Sequence, residues 1–220
     1  NGDKLDFKYV NIEGTMTISK SIANPPTLLN VPESNRRYSS DMGLGPSTID
    51  GPGCWAAYNY NTQVPWMELK VGESPVLVTG VITQGRKNNN QWVRQYKVFY
   101  SNVETGPEVI NQYDHRNTWT AVDGENIFAG NTDDDTKVTN MFATPVTAKY
   151  IIIEPVEPSQ GHSSMRADVY SSTMTVISST ISPGDYFIQD IADQLTTDLG
   201  LTTTFDGDNL VFDVGTGDTA

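Results

Sequence analysis

Asp50-Gly-Pro-Gly-Cys-Trp55, Trp66-Met-Glu-Leu69 and Val78-Thr-Gly-Val-Ile-Thr-Gln-Gly-Arg86 open an ordered series of short motifs. Gln95-Tyr-Lys-Val-Phe-Tyr-Ser101, Ile127-Phe-Ala-Gly-Asn131, Ala148-Lys-Tyr-Ile-Ile-Ile153 and Arg166-Ala-Asp-Val-Tyr170 complete it. Met67, Leu69 and Val71 alternate with Glu68 and Lys70, the period of a half-buried strand. Val76 to Ile82 is apolar enough for a strand buried on both faces. Arg94 to Tyr100 alternates again, Lys149 to Glu154 is an apolar strand closed by Pro155, and Met165 to Tyr170 closes the series. Short strands separated by turn residues predict an antiparallel two-sheet β-sandwich.

Outside this stretch the pattern loosens. Residues 1–20 alternate weakly (Leu5, Phe7, Tyr9, Ile12, Met16, Ile18) and read as one or two strands around a turn at Glu13-Gly14. Residues 24–53, rich in Pro, Ser, Asn and Gly, read as long loops broken by a short turn of helix. Beyond Tyr170, Thr173 to Ile177 is strand-like and Pro183-Gly184 marks a turn, with Asp185 as helix N-cap. Ile188, Ile191, Ala192, Leu195 and Leu199 fall at helical spacing, with Gly200 as C-cap. A hairpin follows, Thr202–Phe205 against Asn209–Val214. Three segments result: an N-terminal strand segment (1–20), the sandwich (21–170) and a small strand-helix-hairpin unit (171–220).

The formal net charge is −13. Residues 171–220 hold eight Asp and no Lys or Arg, so the acidity is concentrated there. Such a balance argues against a nucleic-acid partner, which needs a basic face, and against simple attraction to anionic lipid. The one cysteine, Cys54, excludes an intrachain disulfide and a thiolate zinc cluster, and reads as a small buried residue. No apolar run is long enough for a membrane span, and no signal peptide is evident. A start at Asn rather than Met reads as a processed form or a fragment.

In their order, the motifs between Asp50 and Tyr170 resemble the discoidin domain, also called the coagulation-factor C-type or F5/8 type C domain. The resemblance implies a galactose-binding-like jelly-roll sandwich that binds glycans or other surfaces through loops at one end. It makes Trp55, Trp66, Tyr96, Phe99, Gly130, Asn131, Phe142 and Tyr150 core or turn residues. Two positions depart from the family: Ile152 stands where Arg is frequent, and Asp168 where Glu is common. Sugar-binding relatives place calcium between an Asp-Gly turn and an acid on the last strand, so the resemblance implies calcium at Asp50 and Asp168. Ile181 to Leu195, with the Thr-rich hairpin after it, is similar to segments in structural proteins of large DNA viruses. That similarity implies a virion surface or capsid setting, with other copies or other structural proteins as partners; an extracellular or cell-surface protein is the alternative.

Recognition of a glycan needs planar polar groups for the hydroxyls and an aromatic face for the C–H side of the ring. Gly85-Arg-Lys-Asn-Asn-Asn-Gln-Trp92 holds both: Arg86, Lys87, Asn88 and Asn90 as polar candidates and Trp92 for stacking. A solvated hairpin with Trp92 packed on the sandwich is the competing reading. Asp41, in Ser39-Ser-Asp41, and Tyr60 and Asn61, in Tyr58-Asn-Tyr-Asn61, are expected to converge there. His115 and Arg116 either contribute from a neighbouring loop or form a surface turn. Asp133-Asp-Asp135 reads as a solvated acidic turn. No nucleophile elbow, zinc-helix motif or phosphate loop is present, which points away from an enzyme. Three functions remain: a glycan- or surface-binding module, a structural assembly protein using the sandwich as scaffold, and a carbohydrate-binding module of a secreted bacterial glycosidase.

Overall fold

A computed structural model describes residues 9–57, 64–104, 119–200, 202–206 and 209–213. In chain order the strands are β1 (Tyr9–Ile12), β2 (Met16–Ala23), β3 (Thr27–Leu28), β4 (Arg36–Tyr38), β5 (Trp55–Ala56) and β6 (Met67–Lys70). Then come β7 (Val76–Gln84), β8 (Val93–Ser101), β9 (Thr120–Ala121), β10 (Phe128–Ala129), β11 (Val138–Ala148), β12 (Tyr150–Pro158) and β13 (Ser164–Ser172). The remainder is β14 (Met174–Ile181), β15 (Gly184–Phe187), helix α1 (Ile188–Leu199), β16 (Thr202–Asp206) and β17 (Asn209–Asp213). Residues 25–173 form one compact unit, and the two ends of the chain, up to 24 and from 174, form another.

The first unit is an antiparallel sandwich. One sheet runs β10-β8-β12-β6-β4 with β9 added to β8; the other runs β11-β7-β13-β3 with β5 added to β13. Trp55, Met67, Leu69, Val78, Tyr96, Val98, Ile151, Ile153, Met165 and Val169 share one buried cluster drawn from both sheets. Alternation along β12 explains its unbroken apolar run. Ile151 and Ile153 enter that core, whereas Tyr150 and Ile152 join a second buried cluster with Trp66, Phe99 and Trp119. In that cluster Trp119 stands edge-on to Trp66, with ring centroids 5.8 Å apart. Ile152 therefore serves packing.

Three details differ from the expectations of the sequence. Pro155 does not end its strand: β12 continues to Pro158, and the pairing with β8 shifts between Pro155 and Glu157, where the missing N–H is tolerated. Strand β11 had no clear signal, because its residues alternate between Thr, Asn and apolar side chains and include Pro145. It sits at the sheet edge, and its register with β7 shifts between Met141 and Val146, around that proline. Asp185 is not a helix cap but part of β15, opposite Asn11 of β1. The ladder to β1 takes the backbone that a cap would need, and α1 begins only after it.

In the second unit β2 pairs with β14 and β1 with β15, so the N-terminal segment is not a separate element. Local patterning cannot show this pairing, because the partners stand at opposite ends of the chain. Ile181, Ile191, Leu195 and Leu199 form its buried cluster, with Ile12, Met16, Ile18, Ile177 and Tyr186 packed around it. Gly200, at φ +58°, follows the helix and donates its N–H to the Thr196 carbonyl at 2.9 Å. Strands β16 and β17 pair as an antiparallel hairpin.

Candidate binding site

Loops 39–54, 85–92, 130–137 and 159–163 all leave strands at one end of the sandwich. Backbone bonds stitch them together. Met42 donates to the Ala56 carbonyl at 2.9 Å, and Ala57 to the Ser163 carbonyl at 3.1 Å. Trp55 Nε1 donates to the Ser40 carbonyl at 2.6 Å. The Gly130-Asn131 pair locks the base of this end: a Cβ on Gly130 would lie 2.3 Å from the Val93 carbonyl oxygen. Asn131 Nδ2 donates to the carbonyls of Thr83 at 3.1 Å and Thr136 at 2.7 Å.

The loop from Gly85 to Trp92 is a tight hairpin. The Arg86 N–H meets the Gln91 carbonyl at 2.8 Å, and Asn88 takes a left-handed φ of +60°. Lys87, Asn88, Asn89 and Asn90 are exposed, and Arg86 is half-buried. Arg86 Nη1 donates to Gln91 Oε1 at 2.9 Å, an oxygen that also accepts from Ser164 Oγ at 3.3 Å. The backbones of Trp92 and Ser159 are tied by Trp92 N–H to Ser159 Oγ at 2.9 Å and Ser159 N–H to the Trp92 carbonyl at 2.8 Å. Trp92 is half-buried with its indole nitrogen enclosed, so only part of the ring reaches the surface. The tip of this loop is a solvated turn, and its stem fixes a guanidinium and an indole.

Asp41 lies on the neighbouring loop, half-buried, with Oδ1 accepting the Gly43 N–H at 3.0 Å. Cys54 is buried beneath these groups. Burial pushes its thiol up to about 11, while the charges of Arg86 and Arg166 pull it down and that of Asp41 pushes it up. Asp41 and Arg86 are thus brought within electrostatic reach of one buried atom. Asp50 and Asp168 are each engaged by different partners. Asp50 Oδ2 accepts from Lys137 Nζ at 2.6 Å and Oδ1 from Gln84 Nε2 at 3.2 Å. Lys137 holds the Asp50 carboxyl below its ordinary range. Asp168 Oδ1 accepts the N–H groups of Val169 at 2.8 Å and Val31 at 3.3 Å, and Oδ2 faces Arg36 at 3.5 Å. Burial pushes the Asp168 carboxyl up, against the pull of these amides and of Arg36.

The F5/8 type C domain family matches residues 33–169. The chain belongs to that family. F5/8 type C domains are binding modules, not catalysts. One of the discoidin-1 polypeptides of Dictyostelium discoideum is 32% identical over 146 residues, which cover 64% of this chain and 51% of that one. EGF-like repeat and discoidin I-like domain-containing protein 3 of Homo sapiens is 29% identical over 143 residues, 62% of this chain and 27% of that one. The chain therefore spans about half, or less, of the curated relatives it matches. Among solved structures, discoidin II of Dictyostelium discoideum is similar at a TM-score of 0.49 and 23% identity, covering 62% of this chain and 54% of that one. The family 32 CBM of C. perfringens NanJ, solved in complex with galactose, has a TM-score of 0.49 and 18% identity, covering 66% and 99%.

Four expected ligand residues of this F5/8 type C domain, Tyr60, Asn61, His115 and Arg116, lie outside the described residues. Two groups that the sequence reading passed over belong to this end. One is the turn Ser159-Gln-Gly-His-Ser163, with exposed Gln160 and His162, between β12 and β13. A polar Ser-Gln-Gly-His run between two apolar strands was the available signal. The other is Arg166, fully buried at the start of β13. Among the described residues no group of three or more His, Cys, Asp or Glu is arranged to hold a metal ion. No helix among them is long and apolar enough to cross a membrane.

Proposed function

We propose that this domain is a glycan-binding module whose ligand lies across loops 39–43, 85–92 and 159–163. The observation that supports it best is the 85–92 hairpin itself, which presents Arg86 fixed by Gln91, an exposed Asn88–Asn90 tip and a half-exposed Trp92. A guanidinium fixed by Gln91 is pre-organised to donate to sugar hydroxyls, so little side-chain freedom is lost on binding. Exposed carboxamides add donors and acceptors, and the open part of Trp92 offers an apolar face.

A glycan array probed with the full chain tests this reading. The wild type is expected to bind a defined subset of glycans, and Arg86→Ala/Trp92→Ala to bind about ten- to a hundredfold more weakly, the loss of one charged hydrogen bond and a stacking contact. Because Trp92 is half-buried, the exposed pair Lys87→Ala/Asn90→Ala gives an independent check that leaves packing intact. Absence of binding by the wild type overturns the proposal.

The favoured setting is a virion surface or capsid-associated protein that carries the module outward. Its support is the resemblance of the 181–195 pattern and the following hairpin to viral structural proteins. Detection of the chain in purified particles by mass spectrometry would support that setting; its absence from them would favour a cell-surface or secreted protein.

A further inference from the structure

The guanidinium of Arg166 sits in an oxygen cage. Nε donates to the Gly85 carbonyl at 2.8 Å, and Nη1 to the Gly51 carbonyl at 3.1 Å. Nη2 donates to the Asp134 carbonyl at 3.0 Å and to Asp135 Oδ1 at 2.8 Å. Three backbone carbonyls and a carboxylate, from three separate loops, thus converge on one buried cation. Asp50 stands beside the cage, close enough for the charge of Arg166 to act on its carboxyl.

Loop carbonyls with carboxylates are the donor set of a hard divalent cation, which wants six to eight oxygens at roughly 2.3–2.6 Å. Here those oxygens are arranged for a different occupant. Donor-to-acceptor distances of 2.8–3.1 Å are those of N–H···O bonds, and the four oxygens meet the three nitrogens of a planar fork, Nη2 serving two of them. The remaining acid, Asp50, is held by Lys137 and Gln84. Asp168, the second acid implicated by resemblance, faces Arg36 and two backbone amides instead. The residues present therefore do not fit a calcium ion.

We propose that the Arg166 guanidinium performs the loop-fastening role of a structural cation, so that the binding end is built without calcium. Arg166 reaches the carbonyl of Gly85, the first residue of the 85–92 loop, and that of Gly51 in the Asp50 turn. It holds in register the loops that any ligand would touch. A lysine could not do the same: it is a point charge with three donors and cannot span three carbonyls and a carboxylate in one plane.

Thermal unfolding of the full chain in millimolar calcium, in magnesium and in EDTA tests this inference. The wild type is expected to show the same Tm in all three. Arg166→Ala is expected to melt lower in all three, with neither cation recovering the loss. Arg166→Lys is expected to fall between them without a calcium response. Should Arg166→Ala fail to fold in EDTA, refolding yield with and without calcium, read by tryptophan fluorescence, replaces its Tm. A wild-type Tm raised by roughly 5–10 °C in calcium, the shift for a ligand at about a hundred times its Kd, would overturn the proposal. So would an Arg166→Ala protein that melts with the wild type, since the guanidinium would then fasten nothing. Neither reading depends on glycan binding.

Discussion

Cys54 shows what single residues contribute at the binding end. Its side chain is buried, and burial pushes the thiol from an ordinary value of 9 up to about 11. A raised folded-state pKa means that the unfolded chain loses its proton first. Stability is therefore unaffected below about pH 9 and declines as pH rises from 9 toward 11. Cys54→Ala removes this titration. The Tm of the wild type, compared with that of Cys54→Ala, is expected to fall between pH 9 and 11; a constant difference across that window would show that the thiol is not held in a desolvated site. At this scale the sequence was readable where one residue has one environment. The burial of Cys54 between Gly53 and Trp55 was legible, as were the core aromatics. Arg86, Asn88 and Trp92 could be nominated by type, since an arginine, asparagines and an indole in one loop suit a sugar. The partners of Arg166 and Asp50 were not legible. They lie on three or more loops, and nothing local announces which carbonyl will face which cation.

Strands and hairpins were readable where their two faces differ in polarity. β8 and β13 lie close to their expected positions, and β12 was found by its apolar run. β11 escaped because an edge strand needs only one apolar face and tolerates a proline where its register shifts. Asp185 misled because a short polar residue after Pro-Gly is as good a cap as it is a strand residue, and only the distant β1 decides. The crossing at Gly130 carries an element-scale prediction. A Cβ there would stand 2.3 Å from the Val93 carbonyl oxygen and 3.0 Å from the Arg94 carbonyl carbon, both backbone atoms. Gly130→Ala must therefore push β8 away from the turn that follows β10. It is expected to cost about 1–3 kcal/mol, as overpacking does, seen as a lower urea midpoint with an unchanged slope. An unchanged midpoint would mean that the two backbones do not cross so closely.

For the molecule as a whole, sheet order gathers the candidate loops at one end and joins the two chain ends into a second unit. Neither arrangement is visible in a linear pattern, because both depend on pairing across long separations. What the order of motifs did reveal was the family, and with it which end of the sandwich to inspect. The central claim is that loops 39–43, 85–92 and 159–163 together form one glycan site. Hydrogen exchange of the full chain, with and without saturating amounts of its best array glycan, tests this most directly. The prediction is slowed exchange confined to those three segments. Slowed exchange instead at the opposite end of the sandwich, in residues 72–75 and 102–104, or no change anywhere, would contradict it.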